Sequence, residues 1–183
     1  MNPSLVGSEM CIRDSLHSAS IQGDSILSNV YSKIGVNTEF KENSIILSKK
    51  NVLEEDLDLD LSNYPDLGLP IIVTCAGLGI KAHLKGLESL KIKESDRLKC
   101  IKKELEKFNI SCEIDDSSIK IKEHQNVVEP SSTIECHKDH RIAMSIAPLS
   151  MKVNSIKLDD KYVVNKSYPK FWEDLQNIGL EIN

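Results

Sequence analysis

The chain gathers charge where a solvated surface has no need of it. In the stretch SLKIKESDRLKC (89–100), Lys93, Glu94, Asp96 and Arg97 crowd the few residues before a helix is due to begin. Three other junctions share this character. Asp66 precedes a helix expected from about Leu67, and Asp139, His140 and Arg141 open another. Lys166 and Ser167 lead into a last one, with Pro169 placed in its first turn, where proline is accepted. A helix start carries free N–H groups and about half a positive charge, so Lys or Arg there opposes the helix. The cost makes sense when an anion sits between the dipole and the side chain, which makes recognition of a charged small molecule the indicated chemistry. Each junction alone has a plainer reading. Asp66, Ser95 and Asp139 are good N-caps, and Lys93 and Arg97 could form a solvated set with Glu94 and Asp96. Four cations and one histidine, with acids beside them, at equivalent junctions favour convergence on one anion.

The equivalence comes from an internal repeat. The segment ILSNVYSKIGVNTEFKENSIILS (26–48) has the same layout as CIKKELEKFNISCEIDDSSIKIK (100–122), 74 positions later. Apolar residues at helical spacing (Leu27, Val30, Tyr31 and Ile34; Ile101, Leu105 and Phe108) predict an amphipathic helix in each. Gly35 and Asn109, which tolerate left-handed backbone, stop these helices. Strands are expected over Val36–Phe40 and Ile110–Ile114, then polar turns over 41–44 and 115–118, then strands over Ile45–Leu47 and Ile119–Ile121. A third copy starts at YPKFWEDLQNIGLEIN, with Gly179 in the place of Gly35. Between the copies, YPDLGLPIIVTCAG (64–77) and KDHRIAMSIAPLSM (138–151) each give a polar cap and an apolar helix. A strand then follows each of them, IKAHLKG or SIKLDDK. The unit reads helix–strand–helix–strand–strand, which predicts an α/β fold with mixed sheets and inward-packed helices. A chain that opens and closes partway through a unit reads as part of a longer protein.

With 183 residues, 40% apolar and 28% charged, the chain has the composition of a globular domain, and its net charge of −5 argues against nucleic acid and anionic membrane surfaces as partners. No apolar run approaches the roughly 18 residues of a membrane span. Five cysteines without CxxC spacing fit reduced thiols in a cytoplasmic protein, with Cys75, Cys100 and Cys112 on apolar or half-apolar positions. Cys136-His137-x-x-His140 matches no standard zinc spacing, so no metal is expected there. No glycine-rich phosphate loop is present in the sequence. The first fifteen residues, MNPSLVGSEMCIRDS, lack the features of a signal peptide and resemble translated sequencing-adapter read-through. Residues 1–15 are therefore expected to be a non-native leader.

KIKESDRL, followed by KDHRIAM and then NKSYPKF, resembles the EPSP synthase family (3-phosphoshikimate 1-carboxyvinyltransferases). SIQGDS and SNYPDLGLPIIVTCAGL are similar to the same family in the same order, so the likeness runs over 16–183. The KESDR and DHR pair separates this family from the sister UDP-N-acetylglucosamine enolpyruvyl transferases, which share its fold. The resemblance implies βαβαββ-type units arranged as two domains with a cleft between them, the chain supplying part of the C-terminal domain and the N-terminal portion being absent. It implies transfer of the enolpyruvyl group of phosphoenolpyruvate to the 5-hydroxyl of shikimate 3-phosphate, with no metal or organic cofactor and a monomeric parent.

Residue by residue, the resemblance makes Asp66 the base at the 5-hydroxyl, and Lys93 a ligand of shikimate phosphate that also touches that hydroxyl. It makes Glu94 the acid toward the methylene carbon. Arg97, Arg141 and Lys166 become the phosphoenolpyruvate clamp, supported by His140 and Asp139. Ser89 stands where the family carries an asparagine at the shikimate phosphate. Cations around Asp66 would keep it ionised, and a desolvated Glu94 could hold its proton until needed. Pro148 should shorten the helix after Arg141. The alternatives are the sister transferase, acting on a UDP-sugar, and a non-catalytic anion-binding domain.

Overall fold

The computed structural model describes residues 23–42, 44–50, 56–122 and 126–182. The proposed leader, residues 1–15, and residues 20–22 of SIQGDS lie outside these residues. Two compact units divide between residues 55 and 56. No helix among the described residues is long and apolar enough to cross a membrane.

In the first unit, a 3-10 turn (Gly23–Ile26) runs into α1 (Leu27–Lys33), which packs on an antiparallel hairpin of β1 (Val36–Phe40) and β2 (Ile45–Lys49). Val30 and Ile34 are the buried part of the expected stripe, and Gly35 turns the chain at φ 95°.

The second unit runs β3 (Asp56–Asp60), α2 (Gly68–Leu78), β4 (Lys81–Lys85), α3 (Arg97–Glu106), β5 (Cys112–Ile114) and β6 (Ile119–Ile121). This is the βαβαββ order. The sheet is mixed, with order β3-β4-β6-β5 and only β3 and β4 parallel. Asn109 takes φ 62°, as its role in stopping α3 requires. Helix α2 is apolar on every side, and Leu69, Ile71, Ile72, Val73, Cys75 and Ala76 are all buried, packed against α3, α4 and strands β4 and β6. The remaining elements are α4 (His140–Ile146), 3-10 turns at Ala147–Met151 and Lys161–Lys166, and α5 (Phe171–Asn177). Pro148 ends the α-helical part of α4 and falls in the 3-10 turn that continues it, as its missing N–H demands. A cluster of Cys136, Ala143, Ala147, Val164, Phe171 and Leu175, with edge-on rings at Phe171–Trp172 and Tyr168–Phe171, ties the Lys161–Lys166 turn to α4.

Some elements differ from expectation. Strand β3 follows from the alternation of Leu57 and Leu59 with Asp56, Asp58 and Asp60, and the repeat comparison passed over it. The SIKLDDK stretch contributes a single bridge, Ile134 to Leu158, in place of a strand. Pro169 lies in the turn before α5, not in its first turn.

The two parallel strands leave the sheet side by side, and one glycine permits it. Gly86, at φ 75°, follows β4, and a Cβ built there would lie 2.3 Å from the Ser62 backbone nitrogen in the chain leaving β3. No side chain fits that approach. Gly86→Ala should therefore cost roughly 2–4 kcal/mol of stability, measured by urea denaturation, through strained backbone and a backbone clash together. A cost under about 0.5 kcal/mol would show that the two exits separate freely.

Candidate active site

The exits of β3 and β4 deliver the first two groups of candidate residues to one place, the carboxyl ends of parallel strands, where α/β sheets commonly hold ligands. From β3 the chain enters a 3-10 turn, Pro65–Leu67, which carries Asp66. From β4 it passes through a 3-10 turn, Glu88–Ile92, to Lys93 and Glu94. The two turns pack on each other.

Arg97 is the first residue of α3, yet its side chain is only 2% exposed. Its guanidinium turns inward among three carboxylates. Nε donates to Asp139 Oδ2 at 2.7 Å, and Nη2 donates to Asp139 Oδ1 at 3.3 Å and to Glu94 Oε2 at 2.6 Å. Nη1 lies 3.5 Å from Asp66 Oδ1. Around this centre stand the other candidates. Lys93 Nζ is 3.8 Å from Asp66 Oδ1, and Arg141 Nη2 is 3.5 Å from Asp66 Oδ2. Lys166 Nζ is 3.8 Å and His140 Nδ1 4.0 Å from Glu94 Oε1. Four separate segments thus bring Asp66, Lys93, Glu94, Arg97, Asp139, His140, Arg141 and Lys166 together.

The capping assignments change. Asp96, not Ser95, caps α3, accepting from the Lys99 amide at 3.2 Å. The Ser95 hydroxyl donates to Asp139 Oδ2 at 3.2 Å. Asp66 caps nothing, because the helix that follows begins at Gly68 with no side-chain cap. Asp139 does cap α4, accepting from the Arg141 amide at 2.9 Å while also holding Arg97. Lys166 closes a 3-10 turn and does not open a helix. Glu94 is 40% exposed, so the desolvation expected for it is not realised here.

Burial pushes the Asp139 carboxyl up, but the hydrogen bond and charge of Arg97, the Arg141 amide and the Ser95 hydroxyl outweigh it and hold the group below its usual 3.8. His140 moves the other way for a base. Burial and the charge of Lys166 depress it below 6.5, against the opposing pull of Asp139 and Glu94. Because the unfolded chain takes up that proton more readily, His140 contributes stability that is full above pH 6.5 and lost as pH falls below it. An NMR titration should find His140 below 6.5 in the free chain and higher once an anion occupies the site. An unchanged value on anion binding would place the anion elsewhere.

Three buried side-chain atoms among the described residues lack a hydrogen-bond partner: Asp66 Oδ1, Ser89 Oγ and His140 Nδ1. All three belong to sequence candidates, and unpaired buried polar atoms are uncommon in folded proteins. The thiols are different. Burial raises Cys75 to about 12, Cys112 to about 11 and Cys136 to about 12, as inert core residues require. Cys136, His137 and His140 do not form a metal-holding group; among the described residues that grouping is Glu104, Glu135 and His137. A groove of about 590 Å³ bordered by Leu158, Tyr162, Trp172 and Leu180 contains none of the candidates.

The strand exits of the βαβαββ unit, the start of α3, the start of α4 and the end of the Lys161–Lys166 turn thus bring four cations and three carboxylates within reach of one another in an α/β domain. The model of the EPSP synthase (3-phosphoshikimate 1-carboxyvinyltransferase) family matches residues 5–175. The chain belongs to that family. It is 38% identical over 164 residues to a protein of Bacteroides fragilis named 3-phosphoshikimate 1-carboxyvinyltransferase, covering 89% of this chain and 40% of the relative. Proteins of the same name from Clostridium kluyveri (34% over 170 residues; 92% of this chain, 39% of the relative) and Sulfurisphaera tokodaii (32% over 176 residues; 96% and 42%) are also similar. The chain spans about 40% of the length of these relatives.

Proposed function

We propose that this chain is part of the C-terminal domain of a cytoplasmic transferase that moves the enolpyruvyl group of phosphoenolpyruvate to the 5-hydroxyl of shikimate 3-phosphate, releasing phosphate. The observation that carries this reading is the convergence of Arg97, Arg141 and Lys166 with Asp66 and Glu94. Arg141 and Lys166, at 38% and 49% side-chain exposure, remain open to an incoming anion, while Asp139 holds one edge of Arg97 in place. Planar guanidinium groups suit the phosphate and carboxylate of phosphoenolpyruvate.

In this reading Asp66 takes the proton of the attacking hydroxyl as its oxygen bonds to C2 of phosphoenolpyruvate. A proton from Glu94 reaches the C3 methylene, giving a tetrahedral intermediate. The C2–O bond to phosphate then breaks, C3 returns a proton, and the enol ether forms. Arg97, Arg141 and Lys166 stabilise the departing phosphate. Lys93 is assigned to the reacting hydroxyl, and Ser89, whose buried Oγ lacks a hydrogen-bond partner, to the shikimate phosphate.

Four cations against Asp66, Glu94 and Asp139 leave a surplus of one positive charge. That surplus is small for two phosphorylated substrates, so further cations come from the part of the enzyme outside this chain. The test is a chimera in which this chain replaces the matching part of the Bacteroides fragilis relative. Phosphate release that requires both substrates supports the reading. Phosphoenolpyruvate binding without turnover would favour the non-catalytic alternative.

A further inference from the structure

Next to the site, the chain takes an unfavourable backbone for which the clamp residues give no reason. The amide of Asp139 closes a tight turn on the Cys136 carbonyl at 2.9 Å, and both central residues, His137 and Lys138, are left-handed, with φ 53° and 56°. Such turns normally use Asn and Gly, because a Cβ is disfavoured there. The residue this turn delivers is Asp139, the partner of Arg97.

A buried carboxylate stands behind the turn. Glu104 is 0% exposed and lies two helical turns after Arg97 on α3. Its Oε1 lies 2.9 Å from His137 Nε2, and its Oε2 accepts from the Glu135 amide at 3.0 Å and sits 2.6 Å from Lys107 Nζ. Helix α3 therefore grips the 135–139 segment twice, through Glu104 at His137 and through Arg97 at Asp139. Glu104, Glu135 and His137 would also suit a metal ion by spacing. The ammonium groups of Lys107 and Lys103, the latter 2.9 Å from Glu135 Oε2, already supply the positive charge there.

We propose that Glu104 is a positioning residue: by holding His137 and the Glu135 amide, it keeps the left-handed turn in the form that presents Asp139 to Arg97 and the Arg141 amide to Asp139. The proposal rests on reading Arg97 and Arg141 as an anion clamp.

The full chain tests it with two readouts, the NMR signal of the Arg97 Nε–H group and the affinity for phosphoenolpyruvate by calorimetry. Glu104→Gln should shift the Arg97 signal and weaken binding about tenfold, the order expected when a partner that orients a ligand-binding group is lost. Adding His137→Asn and Lys138→Gly, which suit a left-handed turn without support, should restore both. An unmoved Arg97 signal, or a loss that the double replacement leaves unrepaired, would overturn the proposal. If Glu104→Gln does not fold, His137→Ala carries the same two readouts. A wild-type chain that ignores phosphoenolpyruvate would count against the functional reading alone, because the Arg97 signal still decides the positioning role.

Discussion

Asp139→Asn is expected to destabilise the chain by about 3 kcal/mol, near the figure for removing one partner of a buried ion pair. Asp139 is 0% and Arg97 2% exposed, so water cannot replace the lost charge. Asparagine keeps the shape and one acceptor for the Arg141 amide, and the loss therefore falls on the guanidinium. Glu94 and Asp66 also face Arg97, but at 40% and 47% exposure they interact through solvent-screened geometry and compensate only in part. The pH dependence gives a second signature. Asp139 is held below 3.8 when folded, so its contribution is full above that value and disappears as pH falls through the folded value. In the Asn variant that part of the acid limb should be missing. Urea midpoints measured from pH 2.5 to 7 give both quantities. A loss below about 1 kcal/mol at neutral pH would assign the support of Arg97 to Glu94 and Asp66.

The repeat was legible because its signals are local. Apolar spacing over Ile101 and Leu105 specified one face of α3, continued by Phe108 in the turn after it, and Gly35 and Asn109 marked helix ends by backbone chemistry that few residues share. The convergence of Lys93, Arg97, Arg141 and Lys166 was legible for a different reason: charged residues recur at the junctions between elements, although Lys166 closes a 3-10 turn where a helix start was expected. What escaped were choices settled by tertiary contact. Ser95 and Asp96 are both capable caps, and Asp139, 44 residues beyond Ser95, drew the Ser95 hydroxyl away. Asp66 reads as a cap in isolation, yet a 3-10 turn intervenes and its carboxylate turns to the cations. Glu104 did leave a trace. It sits on the stripe of Ile101, Leu105 and Phe108, where an acid is out of place unless it is paired.

Glu94→Gln in the reassembled enzyme should lower kcat by about 100- to 10,000-fold while leaving the fold intact, the range typical of losing a general acid or base. The fold is spared because glutamine still accepts from Arg97 Nη2, now 2.6 Å away, and the side chain is part-exposed. The site offers Glu94 a second role that must be separated from the first. Its carboxylate touches Arg97 and approaches Lys166 and His140, so it occupies the kind of position an anionic ligand's oxygens would take. If that were all it did, neutralising it would relieve competition, lowering the KM for phosphoenolpyruvate and leaving kcat unchanged. A proton donor instead loses kcat, with KM moving little. Lys93→Met supplies the comparison, since Lys93 lies on the Asp66 side of the cluster, 3.8 Å from its carboxylate, and should mainly weaken the second substrate. The split between kcat and KM in these two variants therefore fixes which group protonates the methylene carbon: a collapse of kcat in Lys93→Met alone would transfer that role from Glu94 to the lysine.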